Sequence, residues 1–303
     1  MALEHKIDFA LVFTAHNANP NGDPLDGNRP RTTYSGLGEV SDVCLKRKVR
    51  NRWIDDGYPV FVQSDNRRSD EFRSLKDRAD ACPALKECLA AIAAQKKNKK
   101  KEATVTSEDY ERIACEQWID VRSFGQVFAF KDKSSDNGDG SDGISIGIRG
   151  PVSIQSAFSL KPVNITSTQI TKSVNLETNE AAPDKKGADT MGLKHRVDYG
   201  VYVTYGSINV QLAGKTGFSE QDAEALKEAL RTLFRNDASA ARPDGSMEVI
   251  KLVWWEHNCA SGQYSSAKVH RSLHVTMDET EFPQISVDET AIPGLNYTLI
   301  DGE

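Results

Sequence analysis

Val197-Asp-Tyr-Gly-Val-Tyr-Val-Thr-Tyr205 puts a β-branched or aromatic residue at every second position. That period of two is the mark of a strand with a buried face. After Gly206 the phase moves to Ile208, Val210 and Leu212, so the reading is a strand over 197–212 with a bulge or turn near Gly206. Ser219-Glu-Gln-Asp222 then has the spacing of a capping box. It opens an amphipathic helix to about Arg235, with Ala223, Leu226, Leu230, Leu233 and Phe234 inward. Residues 247–255 read as a further strand and Val269 to Met277 as another. Towards the N-terminus, Ile144 to Phe158 reads as a strand interrupted by Gly147, Gly150 and Pro151. Ile7, Phe9, Leu11 and Phe13 mark a strand over 5–14. From Glu39 to Asp56 the period is helical, with Leu45, Val49 and Trp53 on one stripe and Gly57 as the stop.

Strand, helix, strand, strand, helix, strand is the split βαβ order of ferredoxin-like folds, an α+β class. Two insertions interrupt it. Residues 58–117 are charged and helical, with helices expected over 84–97 and 107–119. Residues 160–196 lack periodicity and read as an extended excursion, a hairpin. Residues 120–130 are apolar and aromatic and read as a core strand, despite a faint echo of an RNA-stacking pattern in Arg122 to Phe130. The stretch from His16 to Arg31 is so rich in Gly, Pro, Asn and Asp that an irregular loop is expected.

The chain of 303 residues carries a net charge of −6, which averages over a strong asymmetry. From Leu273 to the end there are seven acids and no Lys or Arg. Arg29 to Arg52 holds seven bases (Arg29, Arg31, Lys46, Arg47, Lys48, Arg50 and Arg52) against Glu39 and Asp42. A helix face with this excess of cations either repels itself or neutralises phosphates. Arg149, Lys172, Lys194, His195, Arg196, Lys268 and Arg271 are weaker candidates for the same track. Lys96 to Lys101 is a basic run with no apolar neighbours and reads as a solvated loop or, alternatively, as an arm that touches nucleic acid.

Evidence for catalysis is thin. None of His5, His16, His195, His257, His270 and His274 lies in a nucleophile or metal motif. His16 with Asp23 and Asp26 could do acid–base work in principle, but such loops more often satisfy their own backbone. The polar loop 132–143 misses calcium-loop spacing. Five cysteines without C-x-x-C spacing give neither a zinc site nor a disulfide framework, and a reducing cytoplasm is the expected home. No apolar run is long enough for a membrane span. No cofactor, metal or catalytic residue is expected.

Four pieces together resemble one family: Asn19-Pro-Asn-Gly-Asp-Pro24, Ser41-x-x-x-Leu45-Lys-Arg-x-x-Arg50, Asp120-Val-Arg-x-Phe-Gly125 and Met191-Gly-x-Lys-His-Arg-x-Asp-Tyr-Gly200. This is the backbone subunit of type I CRISPR Cascade, of the RAMP superfamily, with subtype I-C the nearest match. The resemblance implies a single elaborated domain: an RRM-like palm (1–57, 118–159 and 197–303), a helical finger (58–117) and a β-hairpin thumb (160–196). It implies several copies polymerised on one CRISPR RNA, beside the large, small and RNA-processing subunits of the complex. Target DNA is read through base pairing with the guide. Ser41, Lys46, Arg47 and Arg50 would hold the RNA backbone, and Met191 and Leu193 would wedge between bases. The acidic C-terminal stretch is expected to face a neighbouring subunit's bases or to cover a sheet edge. Two rival readings are a RAMP-type endoribonuclease that processes CRISPR RNA and a protein-assembly module with no RNA contact.

Overall fold

The computed structural model describes residues 1–98, 105–130, 144–171 and 191–303. The protein is mixed α/β, built on one large antiparallel sheet. In chain order, β1 (Ile7–Ala18) leads through the short β2 (Gly22–Asp23) and β3 (Arg29–Pro30) to β4 (Leu37–Val40) and α1 (Asp42–Asp55). Helices α2 (Leu75–Asp80), α3 (Pro83–Asn98), α4 (Ser107–Gln117) and α5 (Ile119–Phe124) follow, then the pair β5 (Gly125–Phe130) and β6 (Ile144–Arg149). Next come β7 (Val152–Ile154), β8 (Ala157–Pro162), β9 (Ile165–Thr171) and the long β10 (Met191–Ile208). The chain ends with α6 (Val210–Thr216), α7 (Glu220–Arg231), β11 (Met247–Glu256), α8 (Ser266–Arg271), β12 (Leu273–Met277), β13 (Pro283–Val287) and β14 (Asn296–Asp301).

The large sheet runs β14-β11-β1-β10-β8-β4, and β7 and β9 also pair with β10. β1 is therefore central, and both its faces are buried. Phe9, Leu11 and Phe13 meet Leu45, Val49 and Trp53 of α1 and Leu226 and Leu230 of α7 in one core. Trp53 keeps its indole N–H satisfied there by donating to the Ala225 carbonyl at 3.1 Å. Ala10 and Val12 face the opposite way, into a core with Val201, Val203, Val253 and Trp255 that Val269 and Leu273 help to close. A third cluster lies apart: Phe61, Leu85, Tyr110, Trp118, Phe128, Ile146 and Ile148. Here the helices that follow α1 close over the β5–β6 pair.

The structure corrects several expectations. β1 does not end at residue 14. Its ladder with β10 runs on to Ala18 opposite Val197, so backbone pairing overrides the polar composition of residues 16–18. Glu39 and Val40 are strand, paired with Phe158 and Ala157, and α1 begins only after its N-cap Ser41. β10 carries no bulge at Gly206; its pairing with β1 stays in step from Ile208 to Val201. The change of phase arises because β10 is buried on both faces, with Val201 and Val203 in one core and Tyr202 and Ile208 in the other. The register shift lies instead between β1 and β11, at Val12/Phe13. Residues 210–216 are helix, because Asn209 caps them by accepting the Leu212 N–H at 2.9 Å. Residues 119–124 are helix rather than strand, and 266–271 form α8 ahead of β12. The single strand expected over 144–158 is three, and its first part pairs with β5 away from the large sheet. Phe128, Ile146 and Ile148, expected with the large sheet, pack in the third cluster instead.

Part of the acidic C-terminal stretch covers an edge: β14 pairs along β11 and becomes the outermost strand of the large sheet. Its acids find partners in the same chain: Asp301 with Lys251, and Glu303 with Arg231 and Arg235. Asp278 and Asp288 accept the hydroxyls of Thr280 and Thr290 in turns, at 2.6 Å each. The five cysteines are unpaired. Among the described residues no helix is long and apolar enough to cross a membrane.

Candidate nucleic-acid interface

The loop after β1 folds back on the start of α1. Asn21 Oδ1 accepts both the Ser41 N–H at 2.9 Å and the Ser41 hydroxyl at 2.8 Å. Ser41 Oγ in turn accepts the Cys44 N–H at 3.3 Å. The hydroxyl proton of Ser41 is thus committed inside the protein, and the residue acts as an N-cap. Arg31 reaches Asp23 at 3.4 Å, and Arg29 pairs with Asp23 across β2–β3 and is exposed.

The five bases of α1 divide by direction. Lys48 and Arg52 are buried. Lys48 pairs with Asp237 and lies over the Phe234 ring. Burial pushes its ammonium below the usual lysine range, with Asp237 opposing the shift. Arg52 bonds Thr232, Asp55 and Asp56. Lys46 pairs with Asp42 at 3.0 Å, and Arg50 donates through Nε to Asp120 at 2.8 Å. Arg47 is exposed and has no ion-pair partner among the described residues. The self-repelling face read from the local sequence is therefore compensated, by Asp42, Asp55 and Asp56 close in sequence and by Asp120 and Asp237 far from it.

Lys46 and Arg50 share a floor. Lys46 Nζ stands 5.9 Å and the Arg50 guanidinium carbon 5.1 Å from the centre of the Phe124 ring. Gly125, next to Phe124, is paired with Arg149, whose side chain is exposed.

The β9–β10 pair leaves the large sheet where β1 ends, since Val197 is opposite both Ala18 and Ile165. Period-two alternation gives the arm two unlike faces. Met191 and Leu193, 64% and 65% exposed, alternate with Lys194 and Arg196 on the other face. His195 lies on the Met191 face and bonds Ser167 Oγ through Nδ1 at 2.8 Å. Arg196 stands 3.9 Å from Asp198. Lys172, the loop 132–143 and the side chains of Lys96 to Lys101 lie outside the described residues.

His16 is exposed at the end of β1, with its ring centre 6.2 Å from that of Tyr199 and its Nε2 3.2 Å from the Asn17 amide nitrogen. Asp23 is engaged by Arg31 and the Leu25 N–H. Among the described residues no group of three or more His, Cys, Asp or Glu could hold a metal ion.

Residues 5–293 match the family described as CRISPR-associated protein Cas7. The chain belongs to the Cas7 family. A protein of Haloferax volcanii named CRISPR-associated protein Cas7 is 24% identical over 249 residues, covering 79% of this chain and 67% of its own length. Two solved structures are also similar. A chain titled "CRISPR RNA-guided surveillance complex, pre-nicking" has a TM-score of 0.45 at 18% identity, over 82% of this chain and 75% of that one. A chain titled "CRISPR RNA-guided surveillance complex" has a TM-score of 0.40 at 16% identity, over 82% and 68%.

In this Cas7-family chain, three residues that contact the candidate cations or the head of α1 escaped the sequence reading: Asn21, Asp120 and Phe124. Each lies inside a quoted motif, but a motif does not say which neighbour its side chains touch. The buried group around Asp8 also went unread, because Lys6, His257 and His270 reach it from distant segments.

Proposed function

We propose that this Cas7-family chain is a non-catalytic CRISPR RNA-binding backbone subunit of a type I surveillance complex, nearest to subtype I-C. The observation that carries the reading is continuity. The β9–β10 arm springs from the sheet at Ala18, the basic loop starts at Asn19, and that loop is tied through Asn21 to Ser41 at the head of α1. Exposed cations and an exposed apolar pair thus occupy adjoining pieces of one surface. Such a surface suits single-stranded RNA of any sequence: cations for phosphates, apolar wedges for bases.

In this reading the large sheet with α1 and α7 is a ferredoxin-like palm. The observed order β11-β1-β10-β8 supports it, being that of a split βαβ sheet. The helices after α1 form the finger, joined by the β5–β6 pair whose core they share. The β9–β10 arm is the thumb. Copies polymerise along one CRISPR RNA in the cytoplasm, the thumb of each displacing a base at its neighbour. Bases between thumbs remain open for target DNA, and the large, small and RNA-processing subunits complete the complex. Arg29, Arg31, Lys46, Arg47, Arg50, Arg149, Lys172, Lys194, His195 and Arg196 hold the phosphate backbone, and Ser41 sets the head of α1 for them.

The test is electron microscopy of the protein copurified with its host's CRISPR RNA, together with incubation of the purified chain with repeat RNA. Regular protein filaments on intact RNA are expected. Specific metal-independent cleavage lost in His16→Ala would overturn the reading in favour of an endoribonuclease. RNA binding unchanged in Lys46→Ala/Arg47→Ala/Arg50→Ala would overturn the role given to α1.

A further inference from the structure

The segment Asp120-Val-Arg-Ser-Phe-Gly125 abuts α1, and four of its residues do separate mechanical work. Asp120 is fully buried. Its carboxylate accepts the N–H groups of Phe61 at 2.7 Å and Val62 at 3.0 Å, and Arg50 Nε at 2.8 Å. Arg122 ties the segment to α7, giving two hydrogen bonds to Asp222 Oδ1 at 3.0 and 2.7 Å and one to the Cys115 carbonyl at 3.2 Å. Phe124 lies beneath both Arg50 and Lys46. Gly125 takes φ 79°, and a Cβ there would stand 2.2 Å from the Ile148 carbonyl, so only glycine lets the chain turn off α5 this close to β6.

The Arg50 guanidinium is thus held at two points, edge-on by a carboxylate and face-on by a ring. No described residue accepts a hydrogen bond from Nη1 or Nη2, and the side chain keeps 14% exposure. A guanidinium is planar, so fixing the Nε edge and one face fixes where the Nη edge points. Asp120 does not compete strongly as a counter-ion at that edge, because two main-chain N–H groups also share its charge. Arg149, one residue from Phe124 across the β5–β6 ladder, adds a further cation nearby.

We propose that Asp120 and Phe124 are positioning residues that orient Arg50 and Lys46 as a preformed subsite for a phosphodiester group of single-stranded RNA. The proposal rests on the RNA-binding reading above and deepens it. Without the clamp, two long side chains would have to be ordered by each binding event. With it, that entropy has been lost on folding, and the cost falls on the fold rather than on affinity.

The experiment measures binding of the full-length protein to a labelled uridine homopolymer across a salt series, with thermal unfolding of every variant in parallel. Phe124→Leu keeps an apolar side chain but removes the ring, and a loss of about three- to tenfold in affinity is expected. The ring also stacks on Trp53 at 5.4 Å, so the unfolding midpoint should fall a little while the protein stays folded at the binding temperature. In a Lys46→Ala/Arg50→Ala background the same substitution is expected to change nothing. Arg50→Lys keeps the charge but loses the Nε contact, and should bind as weakly as Arg50→Ala. Asp120→Asn also disturbs the Phe61 and Val62 contacts and can fail to fold, so the other variants carry the test. The proposal is overturned if Phe124→Leu costs nothing, if it costs as much in the double-alanine background, or if Arg50→Lys binds like the wild type. If the wild type binds no RNA, the functional reading itself has failed. If Arg47→Ala weakens binding while Phe124→Leu does not, only the positioning role has.

Discussion

Arg47 and Lys48 are consecutive on α1 and serve opposite sides of it. Lys48 is 3% exposed and ion-paired to Asp237, while Arg47 is exposed with no ion-pair partner among the described residues. Successive helix positions are about 100° apart, enough to send one cation into the protein and the next into solvent. Identical charge therefore has different consequences at the two positions. One fixes α1 to the turn after α7, and the other is available to a partner.

Lys48→Ala should lower stability by about 1–3 kcal/mol. Breaking a buried pair leaves a charge without its counter-ion, but Asp237 still has Arg242 at 2.9 Å to moderate the loss. Urea unfolding measures the change. The salt dependence of RNA binding should stay as in the wild type, and a shallower slope would show that Lys48 reaches phosphate after all.

Arg47→Ala should do the reverse. An exposed, unpaired side chain contributes within about 0.5 kcal/mol of nothing to folding. One phosphate contact fewer on single-stranded RNA lowers the slope of log K against log salt by about 0.7. An unchanged slope would remove Arg47 from the interface.

The folding elements with strong local signals were legible in the sequence, and those set by partners were not. The Ser219/Asp222 capping box and the stripe of Leu45, Val49 and Trp53 appear where the periodicity puts them. Residues 16–18 and Glu39–Val40 were misread because a partner strand, not their composition, makes them extended. The same logic holds for the interface. The cations of α1 could be counted in the sequence, and Asp42, Asp55 and Asp56 stand at helical spacing from Lys46 and Arg52, but the acids that reach Lys48 and Arg50 could not be assigned. Asp120 and Asp237 approach α1 only through tertiary folding, 70 and 189 residues away from their partners Arg50 and Lys48.

The exposed pair on the β9–β10 arm makes a third prediction. Met191→Ser/Leu193→Ser removes apolar side chains that are 64% and 65% exposed in the isolated chain, so the unfolding midpoint should move little. In assembled filaments the effect should fall on the RNA. Chemical probing of the bound guide is expected to give regularly spaced reactive bases with the wild type and a flattened pattern with the variant. Identical patterns would exclude this pair as the wedge.

The last prediction concerns acid stability on the face away from α1. Asp8 is fully buried, with His257 Nε2 at 2.8 Å, Lys6 Nζ at 2.9 Å and His270 Nε2 at 3.5 Å. Burial by itself raises the Asp8 carboxyl, but hydrogen bonds from His257, His270, Ser266 and Lys6 together outweigh it and hold the group well below the usual carboxylate range. A carboxyl whose pKa is depressed by folding gives its full stabilisation above its unfolded value, about 3.9, and loses it as the pH falls further. Asp8→Asn should therefore unfold with about 3 kcal/mol less free energy than the wild type at pH near 6, since Lys6 loses its buried counter-ion and the hydrogen bonds of the two histidines lose a charged partner. Below about pH 4 the gap should start to narrow, by up to about 1.4 kcal/mol for each further pH unit, because the wild type progressively loses this contribution and the variant has none to lose. Urea titrations of both proteins from about pH 6 down to about pH 3 measure the gap. A gap that stays constant over that range would mean that Asp8 stabilises the junction of β1 and α8 by shape and neutral hydrogen bonding, not by its charge.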